Sequence, residues 1–172
     1  IDARRQLAAV HVDQGRFAEA EAEFQDTLGW MLARLGDRHA DVARSYNSLA
    51  IVAWERGDDA TALRHLERAV DIWRETGNDM LLASGLFNLS MVLHDAGRDA
   101  EAEPLVREAL ALRRASFGER HGLVGDTLRL LGEIQAGLGR DDAGATLRLA
   151  QTLTREGYGA QHSHTRRAEL SL

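Results

Sequence analysis

Histidine, aspartate and arginine are the side chains here with chemistry to offer, and His162-x-His164 is the tightest pair among seven histidines. A structural zinc centre needs four ligands at short spacing, commonly with thiolates among them. The chain has no cysteine and no carboxylate at ligand spacing from that pair, so no metal site is expected. His39, His121 and His162 each stand three residues after a glycine, at the same place in a recurring pattern, which marks them as turn or capping residues. The segment "GLGRDDAG" at 137–144 imitates a phosphate-binding loop, but it lacks a preceding strand and its glycine spacing is wrong. "RRAS" at 113–116 has the form of a basophilic kinase site, yet arginines near a helix C-terminus are accounted for by the helix dipole. No Ser/His/Asp set stands in a recognisable context, and the acidic residues are spread over solvated faces. No catalytic residue and no cofactor are expected.

If little of this is chemistry, the residues must serve the elements that carry them. The 172 residues are 44% apolar and only 5% aromatic. That length predicts one domain with a real core, and abundant alanine and leucine favour closely packed helices over a β-rich fold. The net charge is −6 with no lysine/arginine block, which argues against a nucleic-acid partner. No run approaches about eighteen uninterrupted apolar residues, so no membrane insertion is expected. No signal peptide is visible, and a chain that opens at Ile1 reads as a fragment of something longer. Without cysteine it tolerates oxidising and reducing surroundings alike. The expected location is the cytoplasm, or the periplasm if the chain belongs to a membrane-anchored sensor.

One clause is written four times: "GRFAEAEAEF" from Gly15, "GDDATALRHL" from Gly57, "GRDAEAEPLV" from Gly97 and "GRDDAGATLR" from Gly139. A second glycine series, Gly36, Gly77, Gly118 and Gly159, interleaves with it at intervals of 41. Two series with one period mean two turns and two elements per repeat, the sign of a solenoid. Repeats are placed at roughly 1–37, 38–77, 78–119 and 120–160, with a partial fifth at 161–172, all within one domain. The elements are helices, because Tyr46, Leu49, Ala50, Ala53 and Trp54 recur at three and four residues. The spacing predicts helices over 2–14, 17–35, 39–56, 59–76, 79–96, 99–117, 121–138, 141–157 and 163–172. Glycine can close the first helix of each pair, and Asp59, Asp99 or Asp141 can cap the second. Pro104 near the start of the sixth helix removes one early hydrogen bond.

Small residues recur where helices must approach. Ala8, Ala50, Ser90 and Gly132 are equivalent in the first helix of each repeat. Ala20, Ala62, Ala102 and Ala145 are equivalent in the second, if the last repeat carries one extra turn residue. Leu7, Leu49, Leu89 and Leu131 are expected to fill the adjoining space. Gly132 and Gly144 predict a loosened, least stable last pair.

The segments "NSLAIVAWERGDDATAL", "FNLSMVLHDAGRDAEAE" and "LRLLGEIQAGLGRDDAGA" resemble a tetratricopeptide repeat: a Leu-small pair, a Gly-closed turn, then an Ala-bearing helix. The period of about 41, longer than the usual 34, is similar to the kinesin light chain type of repeat, a variant also widespread in bacterial signalling proteins. The resemblance implies an all-α fold, a right-handed α-solenoid of about four helix pairs plus a partial fifth helix. It departs where the family often writes His-Pro and this chain has His39-Ala40, His121-Gly122 and His162-Ser163.

In this family the first helix of each pair lines the concave side. Carried onto these residues, that implies a groove of Arg5, Gln6 and Ala9; Arg44, Asn47, Ser48 and Ile51; Ser84, Phe87, Asn88 and Met91; and Asp126, Arg129, Leu130 and Glu133. Amides can pair with a peptide backbone, arginines with carboxylates, and the apolar members can hold anchor side chains. The expected function is non-catalytic: holding a peptide or helix of a protein partner. The alternatives are the sensor or docking part of a larger bacterial signalling protein, such as a serine/threonine kinase or transcription regulator, and homo-oligomerisation through uncapped terminal helices. Replacing Ala50 or Ala62 by leucine is expected to overpack a helix pair and cost about 1–3 kcal/mol, read from denaturant unfolding midpoints.

Overall fold

The computed structural model describes residues 7, 8, 10–12, 14–158, 164 and 168. Seven helices are complete: α1 (Phe17–Leu35), α2 (Ala40–Glu55), α3 (Asp59–Thr76), α4 (Asp79–Asp95), α5 (Asp99–Phe117), α6 (Gly122–Gly137) and α7 (Ala143–Tyr158). Leu7, Ala8, Val10, His11, Val12, His164 and Ala168 are also helical, and no strand occurs among the described residues. The spans follow the glycine punctuation closely, with α7 starting two residues later than the spacing predicts. The chain divides into two compact units, Ile1–Gly85 and Leu86–Leu172, so α4 contributes its first turns to one and the rest to the other.

The turn glycines adopt backbone conformations that a side chain would obstruct. Gly57 and Gly97 have φ of 77° and 71°, and Gly77 is left-handed at φ 66°, ψ 29°. Gly36 and Gly118 combine φ near 80° with ψ of 167° and 169°, a region essentially reserved for glycine. The residues that follow cap the next helix. His39 and His121 accept at Nδ1 from the amides of Asp41 and Leu123, at 3.1 and 3.2 Å. In the repeat without a histidine, Asn78 Oδ1 accepts from the Leu81 amide at 3.2 Å. The expected aspartate caps differ. Asp58, not Asp59, caps α3 by accepting from the Thr61 amide at 3.1 Å; the Thr61 side chain, then its amide, hold the carboxyl below the usual range. Asp99 lies inside α5 and bonds the His94 ring at 2.5 Å. Asp141 sits in the turn before α7.

In the first unit, α1 packs on α2 and α2 on α3. Ala8, Ala20, Phe24, Leu49 and Val52 form one buried cluster, with Val12, Phe17 and Leu28 against it. Ala50 and Ala62 are wholly buried, whereas Leu7 departs from its equivalents and is exposed. In the second unit, α5 packs on α6 and α6 on α7. Ala145 is exposed and Ala143 is buried, so the last repeat is one residue short in its turn, not one long: Ala143, Leu147 and Ala150 stand in the register of Ala62, Leu66 and Ala69. Of the two glycines expected to loosen this pair, Gly132 marks a close approach, while a Cβ on Gly144 would meet only Arg148 Nη1 at 3.5 Å. A Cβ on Gly132 would lie 2.7 Å from the Leu147 side chain, and one on Gly157 would enter the Gly122 backbone, so these glycines let α6 and α7 approach.

A second contact recurs between the end of one repeat's second helix and the next repeat's first helix. Met31, Trp73 and Arg113 each stand sixteen residues after a turn glycine; Ser45, Gly85 and Thr127 each stand twelve before one. Ser45 Oγ reaches Met31 Sδ at 3.3 Å, and Arg113 Nη1 donates to Thr127 Oγ1 at 2.7 Å. Trp73 lies against Gly85, where an added Cβ would come within 2.6 Å of the indole, and its Nε1 donates to the Ala40 carbonyl at 3.2 Å. Because that indole is buried and tethered, overpacking of about 1–3 kcal/mol outweighs the roughly 1 kcal/mol of helix propensity that Gly85→Ala would gain. Gly85→Ala is therefore expected to lower the urea midpoint. Gly29→Ala is the contrasting case, with nothing within 4 Å of its Cβ, and should raise stability by about 0.5–1 kcal/mol.

Candidate functional site

On α2, Arg44, Asn47, Ser48 and Ile51 follow one another at three, one and three residues, a single stripe along the helix. Val42, Ala43, Ser45, Leu49, Ala50, Val52 and Ala53 are the buried residues of the same helix, so the stripe is the side that packing against α1 and α3 leaves over. Arg44 is exposed; Asn47, Ser48 and Ile51 are half-buried. The Arg44 guanidinium is 3.9 Å from Asp41, too loose and too solvated an ion pair to hold it against a competing carboxylate. Ser48 Oγ donates to the Arg44 carbonyl at 3.1 Å, and Ser84 Oγ to the Met80 carbonyl at 3.1 Å. Their protons are spent on their own helices, and their lone pairs remain to accept.

In the second unit, Phe87, Asn88 and Met91 continue α4 half-buried. The Phe87 ring lies 4.4 Å beneath the Arg113 guanidinium. Arg113 is buried and donates to the Leu123 carbonyl at 3.2 Å as well as to Thr127. Burial lowers its pKa, partly offset by the Asp126 charge. Phe87 is thus partly committed to shielding a buried cation.

The fourth-repeat positions depart from the expected open face. Asp126, Arg129 and Leu130 are only 5%, 9% and 1% exposed, while Glu133 is half-buried. The Asp126 carboxylate accepts from Tyr158 Oη at 2.9 Å and meets His164 Nδ1 at 2.8 Å, with the two rings 5.0 Å apart. Arg129 Nη1 holds both Glu133 carboxylate oxygens at 2.6 Å. A guest therefore does not find these side chains free-standing, because internal partners satisfy them. Arg5, Gln6 and Ala9 lie outside the described residues, as does His162.

No group of three or more metal-ligating side chains is gathered among the described residues, and no described helix is long and apolar enough to cross a membrane. Gly139 of the "GLGRDDAG" segment is a turn glycine with φ 67°, and Asp142 there accepts from Gln135 at 2.9 Å. The first arginine of "RRAS" is the buried Arg113. Sequence reading did not single out Arg113, Tyr158 or His164 as a network. The available signal was Arg113 itself, a charge at the register where Met31 and Trp73 are apolar.

Tyr158 gives this network a pH signature. Burial, then the neighbouring Asp126 charge, raise its phenol pKa above the ordinary value, so the fold favours the protonated form. That contribution is complete below about pH 10 and is lost as pH rises through the raised pKa. Stability should fall above about pH 10, and Tyr158→Phe should flatten the fall while costing about 1–3 kcal/mol at neutral pH, both read from thermal melts across pH.

Residues 1–75 and 81–143 match the tetratricopeptide repeat family. Over 112 residues, 64% of this chain, the sequence is 40% identical to the regulatory protein AfsR of Streptomyces griseus; the chain spans 11% of that protein's length. Among solved structures, a Podosopora anserina protein assigned as a kinesin light chain, with nearly identical TPR-like repeats, superposes with a TM-score of 0.84 at 17% identity, covering 99% of this chain and 82% of that one. BtubC (BKLC) from P. vanneervenii superposes with a TM-score of 0.84 at 22% identity, covering 96% and 67% respectively. The fold is an all-α solenoid of the kinesin light chain-like type, and the chain belongs to the tetratricopeptide repeat family.

Proposed function

We propose that the chain is a non-catalytic protein-interaction module that holds a peptide or helix of a protein partner on the stripe of α2. The observation that carries this reading is the α2 stripe: a loosely paired arginine, an amide, a hydroxyl acceptor and an isoleucine on the side that its helix neighbours leave over. Such a face suits an extended backbone with an acidic and an apolar side chain. Micromolar affinity, about −8 kcal/mol, would be ordinary for it. Arg129 is a poor probe, because it is held by Glu133 and buried. Arg44→Glu with Asn47→Ala tests the stripe. A partner recovered by affinity capture should bind the double variant at least about tenfold more weakly. Equal binding by the wild type and a variant of unchanged circular dichroism would remove the stripe from consideration.

The likeness to a regulatory protein favours a second, compatible reading, that these repeats serve as the docking or sensing part of a larger regulator. It predicts that the coding sequence around these residues encodes a catalytic or DNA-binding domain whose output changes when residues 1–172 are deleted. An output indifferent to that deletion would count against it.

A further inference from the structure

Helices α2, α4 and α6 each open on a side chain that accepts a backbone amide, and the three acceptors differ chemically. Before α4 it is Asn78 Oδ1, an amide oxygen that does not titrate. Before α2 and α6 it is Nδ1 of His39 and of His121. The Asp41 and Leu123 amides are the donors, so each Nδ1 offers a lone pair and each ring is neutral in this bond. A proton on Nδ1 turns the acceptor into a second donor facing the amide. It also sets a positive charge at the positive end of the helix dipole.

The residue two positions on separates the two histidines. At His39 it is Asp41, whose carboxylate stands 3.8 Å from the same Nδ1, so a charged ring exchanges its amide for an ion pair. The other charges around His39 are paired: Arg38 with Glu75, Arg68 with Asp37, and Arg44 loosely with Asp41. At His121 the residue is Leu123, which offers a charged ring nothing. The carboxylates near this ring are engaged elsewhere. Glu119 pairs with Arg114 at 2.9 Å and Glu156 with Arg120 at 3.0 Å, while Asp126 meets Tyr158 and His164. The Tyr158 ring packs on Gly122, and Arg113 donates to the Leu123 carbonyl. Phe117 stacks on the His121 ring with centroids 4.6 Å apart, a contact that a charged ring keeps. Acid therefore breaks the amide bond without displacing the ring.

We propose that the His121 cap is an acid-sensitive latch on the first turn of α6, released by a proton at Nδ1 in the range where histidines titrate, about pH 8 to 5. At α2, Asp41 takes over the charged ring, and the Asn78 cap of α4 is indifferent to pH. What the latch holds is the turn that presents the Leu123 carbonyl to the buried Arg113, so acid loosens the seat of that cation. The latch does not depend on a peptide binding to α2.

The test compares thermal melts at about pH 7.5 and about pH 5.5 for the 172-residue chain and for His121→Asn and His39→Asn, each variant copying the cap of Asn78. The wild type should lose about 2–4 °C more on acidification than His121→Asn, the shift expected for one cap in a chain of this size. His39→Asn should lose about as much as the wild type. The remaining histidines are common to all three chains and cancel in the comparison. In the wild type, the Leu123 amide proton should move upfield in step with the His121 ring as pH falls, while the Leu81 amide stays in place. That titration, followed by NMR, decides the matter if His121→Asn does not fold. Equal acid losses in wild type and His121→Asn would overturn the proposal, as would a Leu123 amide that keeps its shift while the His121 ring titrates. An acid loss removed as fully by His39→Asn as by His121→Asn would also overturn it, because Asp41 would then protect nothing.

Discussion

Everything in this fold rests on how closely the end of one repeat's second helix can approach the first helix of the next. A helix pair cannot bury both of its faces alone, so each repeat depends on its neighbour. The contact is made by one protruding side chain and one short one: Met31 with Ser45, Trp73 with Gly85, Arg113 with Thr127. Each protruding group finds a matched recess. An indole needs a residue without Cβ, and a guanidinium needs a hydroxyl and a carbonyl to satisfy it in a dry site. The glycine turns set the register that lets these pairs meet.

The periphery repeats as faithfully as the core. Arg38 and Arg120, two residues after their turn glycines, pair with Glu75 and Glu156 at 2.6 and 3.0 Å. Arg56 pairs with Glu21, and Arg140 with Glu103. Such exposed pairs stabilise weakly, about 0–1 kcal/mol each, and they hold turns against helices rather than create the fold. They also account for much of the charge that might otherwise suggest a site. Glu103 is held below the usual carboxylate range first by the Arg107 hydrogen bond, which is a structural reason and not a functional one.

The architecture was largely legible in the sequence because it is written periodically. Glycines needed for positive φ and apolar residues at helical spacing are local signals, and four copies reinforce one another. What escaped was non-periodic. The one-residue contraction before α7 shifted Ala143 into the place assigned to Ala145, since a turn can lose a residue without any mark in the helix that follows. Gly132 looked like a defect, and only the position of Leu147 shows it to be a clearance. The candidate stripe on α2 followed from the resemblance to the repeat family, not from spacing. The burial of Asp126 was not legible, because it depends on Tyr158 and His164, 32 and 38 residues away, and neither is part of the repeating pattern.

The matched protrusions and recesses restrict how such an array can change. Unequal crossing-over is the easy genetic route to longer or shorter repeat proteins, and it joins helices that were not neighbours before. A protein of nearly identical repeats loses nothing by it, since any junction reproduces the old one. In this chain a junction setting Trp73 against Thr127, or Arg113 against Gly85, would crowd an indole or strand a cation. Its repeats are heritable as a fixed sentence, and their order is as much a part of the fold as their number.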